Sequence, residues 1–461
     1  MKGFYRAMQY KMLLLCDFNK NSARTIIDHA TSFQKFSRHE FFFFNPVSVS
    51  KPGWLNLDRF DFIVIHYSIY VLGEYYLNDH WRKAIAASKA VKVHFIQDEY
   101  RTVNAFHERM RELGINILFT CIPEPEIERI YPTEKLPGVH KVNTLTGYIP
   151  DYMEKKKPDF EKRRAIDVGY RGRNMKLFWL GELFQEKTFI AEEFSRRAKG
   201  KGLTCNISCR EEDRIYGNKW IKFLEASRCT LGTESGASII DFDGTLEVQM
   251  HAYIDAHPEA TFQQVHELFL KDYEGKIRMN QISPRIFEAI GCGCCLILFE
   301  GEYSGIIQSP DHFITLKKDF SNFDEVVEKI KDQELVKKTA QKAYQDVVTS
   351  GNHSYRAFVE NFDNVIGEYM TSTRSAQNAA GAAVSSTKTG SSWKSWRKFK
   401  KLALFSYQYL KQKYQWLYQS TMRWTHRLMN SLRAKAMRKR RIHPFFFRQR
   451  IKLILSLFKD A

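Results

Sequence analysis

No stretch of the 461 residues reaches the roughly 18 consecutive apolar residues that a membrane-crossing helix needs, so no transmembrane segment is expected. The opening run MKGFYRAMQYKMLLLCDF has an apolar core of about five residues, too short for a secretory signal. A second Cys or His pair at finger spacing from the cysteine cluster is missing as well. The eight cysteines (Cys16, Cys121, Cys205, Cys209, Cys229, Cys292, Cys294 and Cys295) are scattered, and the cluster GCGCC at 291–295 runs straight into the apolar strand LILF. That excludes a disulfide-stapled scaffold and a zinc-finger framework, and reduced thiols in a cytosol are expected. Acid is nearly absent from one end only. Residues 393–461 hold 19 Lys and Arg and a single acid, Asp460, whereas the other 392 residues hold 52 bases and 51 acids. The net charge of +19 is therefore the property of a tail attached to a near-neutral body. Between them, residues 371–392 contain no aromatic side chain and nothing apolar larger than Val384, which is the composition of a flexible tether.

What is present is alternation. MLLLCDF (12–18), DFIVIHYS (61–68), VKVHFIQDEY (91–100) and INILFTCI (115–122) are short apolar strands, and the segments between them have a helical period. This predicts a parallel, doubly wound sheet, whose ligands sit at the carboxyl ends of the strands. Asp17, His66, Tyr67, Asp98 and Glu99 then stand on one lip. EKKKPDFEKRR (154–164) is polar, carries Pro158 and reads as a link. A second series follows: AIDVGYRG, LTCNIS, RCTLGTES, CCLILFE and DHFITL as strands, NKWIKFLEAS and PRIFEAIGCG among the helices, and one long helical run over NFDEVVEKIKDQELVKKTAQKAYQDVVTS. The expectation is an α/β chain of two Rossmann-like domains facing a cleft, residues 1–153 and 165–352. A closing helix follows over 353–370, then the tether over 371–392 and a basic, aromatic, helical tail over 393–461. Several two-domain α/β families share such a plan.

SIIDFDGTL (238–246) resembles the nucleophile loop of haloacid-dehalogenase-type phosphatases. Those enzymes need their aspartate early, at the end of a first strand, and a later acidic pair to hold Mg²⁺. Here the loop lies past the middle of the chain, and neither Asp311 nor Asp319 stands in the right context, so this reading is disfavoured.

ISPRIFEAIGCGCCLILFEG (282–301) is the most specific segment. Pro284 suits a first helical turn, and the helix start offers amides and positive potential to a diphosphate. Arg285 suits phosphate oxygens, Glu288 suits a ribose diol, and Gly291 and Gly293 let the helix end and turn. This pattern resembles the donor-binding segment of GT-B glycosyltransferases, particularly the spore-maturation-protein-like, group 1 bacterial set. VGYRGRNMKLFWLGELFQEKTFIAEEF (168–194) is similar to the basic loop and helix start that contact the donor diphosphate in that set, which gives Arg171, Arg173 and Lys187. TESG, with Glu234 and Ser235, falls where donor ligands bind. Many relatives have a sugar-contacting glutamate eight residues before the ribose-binding one; here that position is Asn280.

The resemblance implies a hexosyl- or related transferase. Its donor domain is the second and its acceptor domain the first, with a nucleotide-diphosphate sugar as co-substrate and neither metal nor cofactor required. An inverting enzyme needs a base on the acceptor side, for which His66 and Asp98 are the candidates; a retaining enzyme needs none. The tail combines cations with Trp and Tyr, as segments lying on anionic membranes do. A peripheral place on the inner face of the cell membrane is therefore expected, with a glycan or lipid-linked acceptor in surface polysaccharide synthesis. The rival is a non-catalytic or nucleic-acid-binding protein on a degenerate transferase body.

Overall fold

The computed structural model describes residues 8–18 and 23–381. The basic tail over 393–461 and the end of the tether lie outside the described residues. The first lobe is a sheet of six strands: β1 (Lys11–Leu15), β2 (Glu40–Phe44), β3 (Phe62–Ile65), β4 (Val91–Ile96), β5 (Ile117–Thr120) and β6 (His140–Asn143). All are parallel, in the order β2-β1-β3-β4-β5-β6. Leu13 pairs with Phe42 on one side and Ile63 on the other. Strands β1 and β3 are almost wholly buried, as the middle of a parallel sheet covered on both faces requires. Helices α1 (Arg24–Phe36), α2 (Asp79–Ala87), α3 (Val103–Leu113), α4 (Glu124–Ile130) and α5 (Asp151–Lys155) make the crossovers and the exit.

The second lobe has five parallel strands: β7 (Ile166–Arg171), β8 (Cys205–Ser208), β9 (Ser227–Gly232), β10 (Cys295–Phe299) and β11 (Phe313–Leu316). Their order is β11-β10-β9-β7-β8. The helices are α6 (Glu182–Arg197), α7 (Asn218–Ala226), α8 (Thr245–Ala256), α9 (Phe262–Val265), α10 (Pro284–Gly291), α11 (Phe323–Lys331), α12 (Gln333–Ala343) and α13 (Tyr355–Gly381). Each sheet reverses its winding next to its first strand, between β1 and β3 and between β7 and β9. Those two crevices are where such sheets bind ligands.

Two expectations about helices change. The long run after Asn322 is not one helix. Asp332 adopts an extended backbone and its carboxylate accepts from Leu335 N, so α11 stops and α12 starts there. A π-helical turn over Tyr344–Thr349 then ends the segment. The closing helix expected to stop at 370 runs on to Gly381, eleven residues into the stretch expected to be a tether. Those residues are alanine-rich and contain no proline, so nothing stops the helix.

Helix α13 crosses back from the second lobe to the first. Phe358 and Phe362 join Phe33, Phe95 and Phe119 in one core, with Phe33 and Phe362 edge-on at 5.0 Å. Each such ring contributes about 1.5–3 kcal/mol by burial. Asp363 fixes the docking by accepting from Ser37 Oγ at 2.7 Å and Arg38 N at 2.8 Å. Among the described residues no helix is long and apolar enough to cross a membrane.

Candidate functional site

The start of α10 lies where the lobes meet. Ser283 caps it, its hydroxyl accepting from Arg285 N, and Pro284 occupies the first turn. A Cβ on Gly147, in the segment leaving β6, would come within 3.0 Å of the Pro284 ring, a crowding that glycine avoids. Thr146 Oγ1 donates to Ile282 O at 2.8 Å in the same place. Just upstream, Ser235 and Gln281 exchange two backbone hydrogen bonds, of 2.7 and 2.9 Å, which lays the loop after β9 beside the approach to α10. Gly236 makes this possible. Its φ is +112°, and a Cβ there would strike Met279 O at 2.0 Å.

Around that helix start the cations take unequal roles. Arg285 is exposed; its guanidinium donates to the carbonyl of Arg171 and lies over the Trp220 ring, 5.4 Å from its centroid. Trp220 Nε1 also donates to Glu288 Oε2 at 2.7 Å. One ring thus orients both charged residues of α10. Burial pushes the Glu288 carboxyl upward, opposed by the Trp220 bond and the charge of Arg285. Lys187, on the second turn of α6, reaches Ser235 Oγ at 3.4 Å. Its pKa falls to about 8, through burial first and the nearby charge of Arg285 second, against the attraction of Asp98 and Glu186. Asp98 belongs to the first lobe, so Lys187 feels carboxylate charge across the cleft.

Asp98 is exposed just past the carboxyl end of β4, and its Oδ1 accepts from Tyr100 Oη at 2.7 Å. Its φ is +56°, a left-handed conformation that costs a non-glycine residue about 1–3 kcal/mol. Strain of that kind is held in place by surrounding structure. Beside it the lobes are joined by Asp241 N to Tyr100 O at 2.8 Å, Asn104 N to Phe242 O at 2.9 Å and the Arg101–Glu247 ion pair at 3.1 Å. On the other flank, Gln281 Nε2 donates to Cys121 O. A cavity of about 520 Å³ opens here between the lobes, with Thr144, Thr146, Asn280 and Glu302 in its wall.

Several expected site residues do other work. His66 does not face the cleft. It is fully buried, accepts at Nδ1 from Ser68 N at 3.0 Å, and therefore donates from Nε2 to His29 Nδ1, also at 3.0 Å. Burial holds its pKa well below the usual value, so it stays a neutral core residue. The side chain of Arg171 is used inside the lobe, donating to the carbonyls of Asp213, Tyr170 and Asn206 and to Asn206 Oδ1, at 2.7–3.1 Å. It binds β7 to β8 and steers Arg285 through its own carbonyl. Arg173 is half exposed and pairs with Glu211 at 3.3 Å. Glu234 is buried; Oε1 accepts from the amides of Glu302 and Tyr303, and Oε2 from Asn280 Nδ2 at 2.6 Å. Its oxygens lock three loops together. Gly291 is buried too, and a Cβ there would meet Met153 Sδ of α5 at 2.8 Å, so its smallness serves packing.

The DFDG loop also has a plain role. Asp241 Oδ1 accepts from Gly244 N and Oδ2 from Glu247 N, both at 2.9 Å, and Asp243 Oδ1 accepts from Thr245 N at 3.0 Å. Both aspartates therefore serve the start of α8. Trp220 was not singled out in the sequence, where it is one apolar position of an amphipathic helix; only the fold brings it to α10.

Two facing Rossmann-like lobes, closed by a helix that returns to the first, define a GT-B body. Residues 192–364, most of the second lobe and including the segment 282–301, match the family model described as glycosyl transferase-like. Among solved structures the chain is similar to a DNA-modifying β-glucosyltransferase, 12% identical over 77% of this chain and 99% of that one, TM-score 0.46. It is also similar to HepE of Anabaena in complex with UDP (11%, 79% and 100%, TM-score 0.41) and to sucrose-phosphate synthase of Thermosynechococcus elongatus (6%, 79% and 100%, TM-score 0.43). Over 137 residues the chain is 27% identical to large ribosomal subunit protein bL9 of Desulfatibacillum aliphaticivorans, covering 28% of this chain and 88% of that protein.

Proposed function

We propose that this protein moves a sugar from a nucleotide-diphosphate donor, held by the second lobe, to a glycan or glycolipid acceptor held by the first. The observation that carries the reading is the convergence at the α10 start. Exposed Arg285, Lys187 hydrogen-bonded to Ser235, and Glu288 held by Trp220 meet there opposite Asp98 of the other lobe. The helix start and the two cations suit a diphosphate that gains negative charge as it leaves. Glu288, fixed by one hydrogen bond, keeps lone pairs for a ribose diol. The acceptor hydroxyl oxygen attacks the anomeric carbon and the bond to the diphosphate breaks. Asp98 is the carboxylate to which we assign the proton if configuration inverts. In this reading Arg171, Glu234 and Gly291 support the site from behind.

Release of nucleoside diphosphate from a panel of nucleotide sugars, with and without glycan acceptors, tests this. Turnover that is lost in Arg285→Ala and in Asp98→Asn supports it; no turnover with any donor counts against it. Residues 393–461 are assigned to an anionic membrane surface on their composition, 19 cations interleaved with Trp and Tyr. The likeness to a ribosomal subunit protein is the one observation favouring a ribonucleoprotein partner instead. Flotation of the full chain with phosphatidylglycerol vesicles, in competition with RNA, separates the two.

A further inference from the structure

The carboxyl edge of the first sheet carries large rings turned to solvent: Trp54 is 62% exposed, Tyr75 55% and Tyr70 37%. They sit on loops that are firmly held. Val49 O, five residues before Trp54, accepts from Trp81 Nε1 at 2.9 Å and Asn78 Nδ2 at 3.2 Å. Ser48 N donates to Tyr75 O at 2.8 Å, tying the loop after β2 to the loop after β3. Lys51 Nζ donates to Leu55 O at 2.8 Å, while Val47, Leu55, Val71 and Leu77 are buried beneath. Trp54 stands edge-on to Phe44 of β2 at 6.3 Å, and the tyrosines lean on one another. Tyr76 stands edge-on to Tyr75 at 5.4 Å and to Tyr70 at 6.3 Å, and Tyr70 packs on Phe106 of α3 at 5.8 Å. A Cβ on Gly73 would come within 3.0 Å of the Tyr70 ring and 3.1 Å of the Tyr76 ring, so these two close over a bare backbone. Exposed aromatic surface on a rigid frame is contact area with little ordering left to do on binding.

Its chemistry selects the occupant. The rings follow β2 and β3, whose carboxyl ends lie on the same edge of the parallel sheet as that of β4, which leads to Asp98. Among the described residues the charges beside the tyrosines are matched: Glu74 and Asp79 pair with Arg82 and Lys83 at 2.6–3.6 Å, which favours an uncharged ligand over a polyphosphate or an acidic headgroup. Flat apolar faces edged by phenol hydroxyls match a pyranose, whose C–H groups line one face and whose hydroxyls form the rim. We propose that Trp54, Tyr70 and Tyr75 form a stacking platform for the sugar rings of an uncharged oligosaccharide acceptor. Its role as acceptor rests on the transferase reading; its binding does not.

The test is titration of the full chain with maltohexaose, cellohexaose and chitohexaose, followed by tryptophan fluorescence and calorimetry. At least one binds the unmodified protein. Trp54→Ala and Tyr75→Ala each weaken that binding by about tenfold, the loss of one aromatic contact, while Trp54→Tyr largely keeps it and melting temperatures stay level. Failure of all three sugars to bind, or equal binding by the Trp54→Ala/Tyr75→Ala double variant, overturns the proposal. So does binding of an RNA oligonucleotide or of phosphatidylglycerol vesicles that disappears in those variants while sugars do not compete. Nucleoside diphosphate affinity is read separately. If no nucleotide binds but a hexasaccharide still depends on Trp54, the platform stands and the transferase reading falls.

Discussion

Trp220 donates its indole N–H to the Glu288 carboxylate at 2.7 Å, although 68 residues separate them. The bond spans α7 and α10 and fixes the carboxylate assigned to the ribose. Trp220→Phe keeps a stacking ring beneath Arg285 but removes the donor. The expected cost is about 1 kcal/mol in nucleotide affinity, roughly fivefold, with a smaller effect on melting. Isothermal titration against the nucleoside diphosphate that binds the unmodified chain measures it.

The two arginines joined through the Arg171 carbonyl should separate on mutation. Arg285→Ala removes an exposed cation and is expected to abolish nucleotide binding while leaving the melting temperature nearly unchanged. Arg171→Ala strands the carbonyls of Asp213 and Asn206 that its side chain now satisfies. It should cost about 2 kcal/mol of stability, read by denaturant unfolding, with any loss of binding following from that.

If Lys187 holds the diphosphate, nucleotide affinity is expected to depend on pH. Burial and Arg285 bring its pKa to about 8, so above that pH the free protein carries it neutral. Binding an anion there must first take up a proton, and affinity should fall by up to about tenfold per pH unit above 8. Lys187→Arg, charged throughout, should flatten the profile. A flat profile in the unmodified protein would exclude Lys187 from the anion site.

Much of this was visible in the sequence, and what was not has physical reasons. α10 announces itself because Ser283, Pro284 and the terminal glycines each act locally. Strand β2 was not anticipated, since EFFFF lacks the alternation of a half-buried strand. Strand β6, HKVN, is a short polar edge strand, and α8 follows a loop whose acids suggested other chemistry. The side chains that met different fates, His66, Arg171 and Glu234, look no different in sequence from residues that face a cleft. Their partners His29, Asn206 and Asn280 come from elsewhere in the chain, so only tertiary structure decides whether their polar atoms are already used.

Glu99 gives a stability signature independent of any ligand. It is fully buried, accepting from Thr120 Oγ1, Tyr131 Oη and Cys121 N, and burial raises its pKa from 4.5 to about 7. The folded state therefore holds a proton that the unfolded state has lost between those values. Its contribution is present below pH 4.5 and falls as pH rises to 7, by on the order of 3 kcal/mol. Glu99→Gln should remove that slope from unfolding free energies measured across pH 4.5–7.

Asp241→Ala removes the two hydrogen bonds that its carboxylate accepts at the start of α8, next to the Tyr100 contact between the lobes. Unfolding should show a loss of about 1–2 kcal/mol, and exposed Asp243→Ala a smaller one. Hydrolysis of a phosphate monoester abolished by Asp241→Asn would revive the phosphatase alternative.

The central claim is that the α10 start, with Arg285 beside it, grips a pyrophosphate. Thermal melting of the full chain against UDP, GDP, ADP and CDP tests it most directly. At least one should raise the melting temperature of the unmodified protein, and the rise should vanish in Arg285→Ala and shrink in Glu288→Ala. No rise with any of the four, or an equal rise in Arg285→Ala, would contradict it.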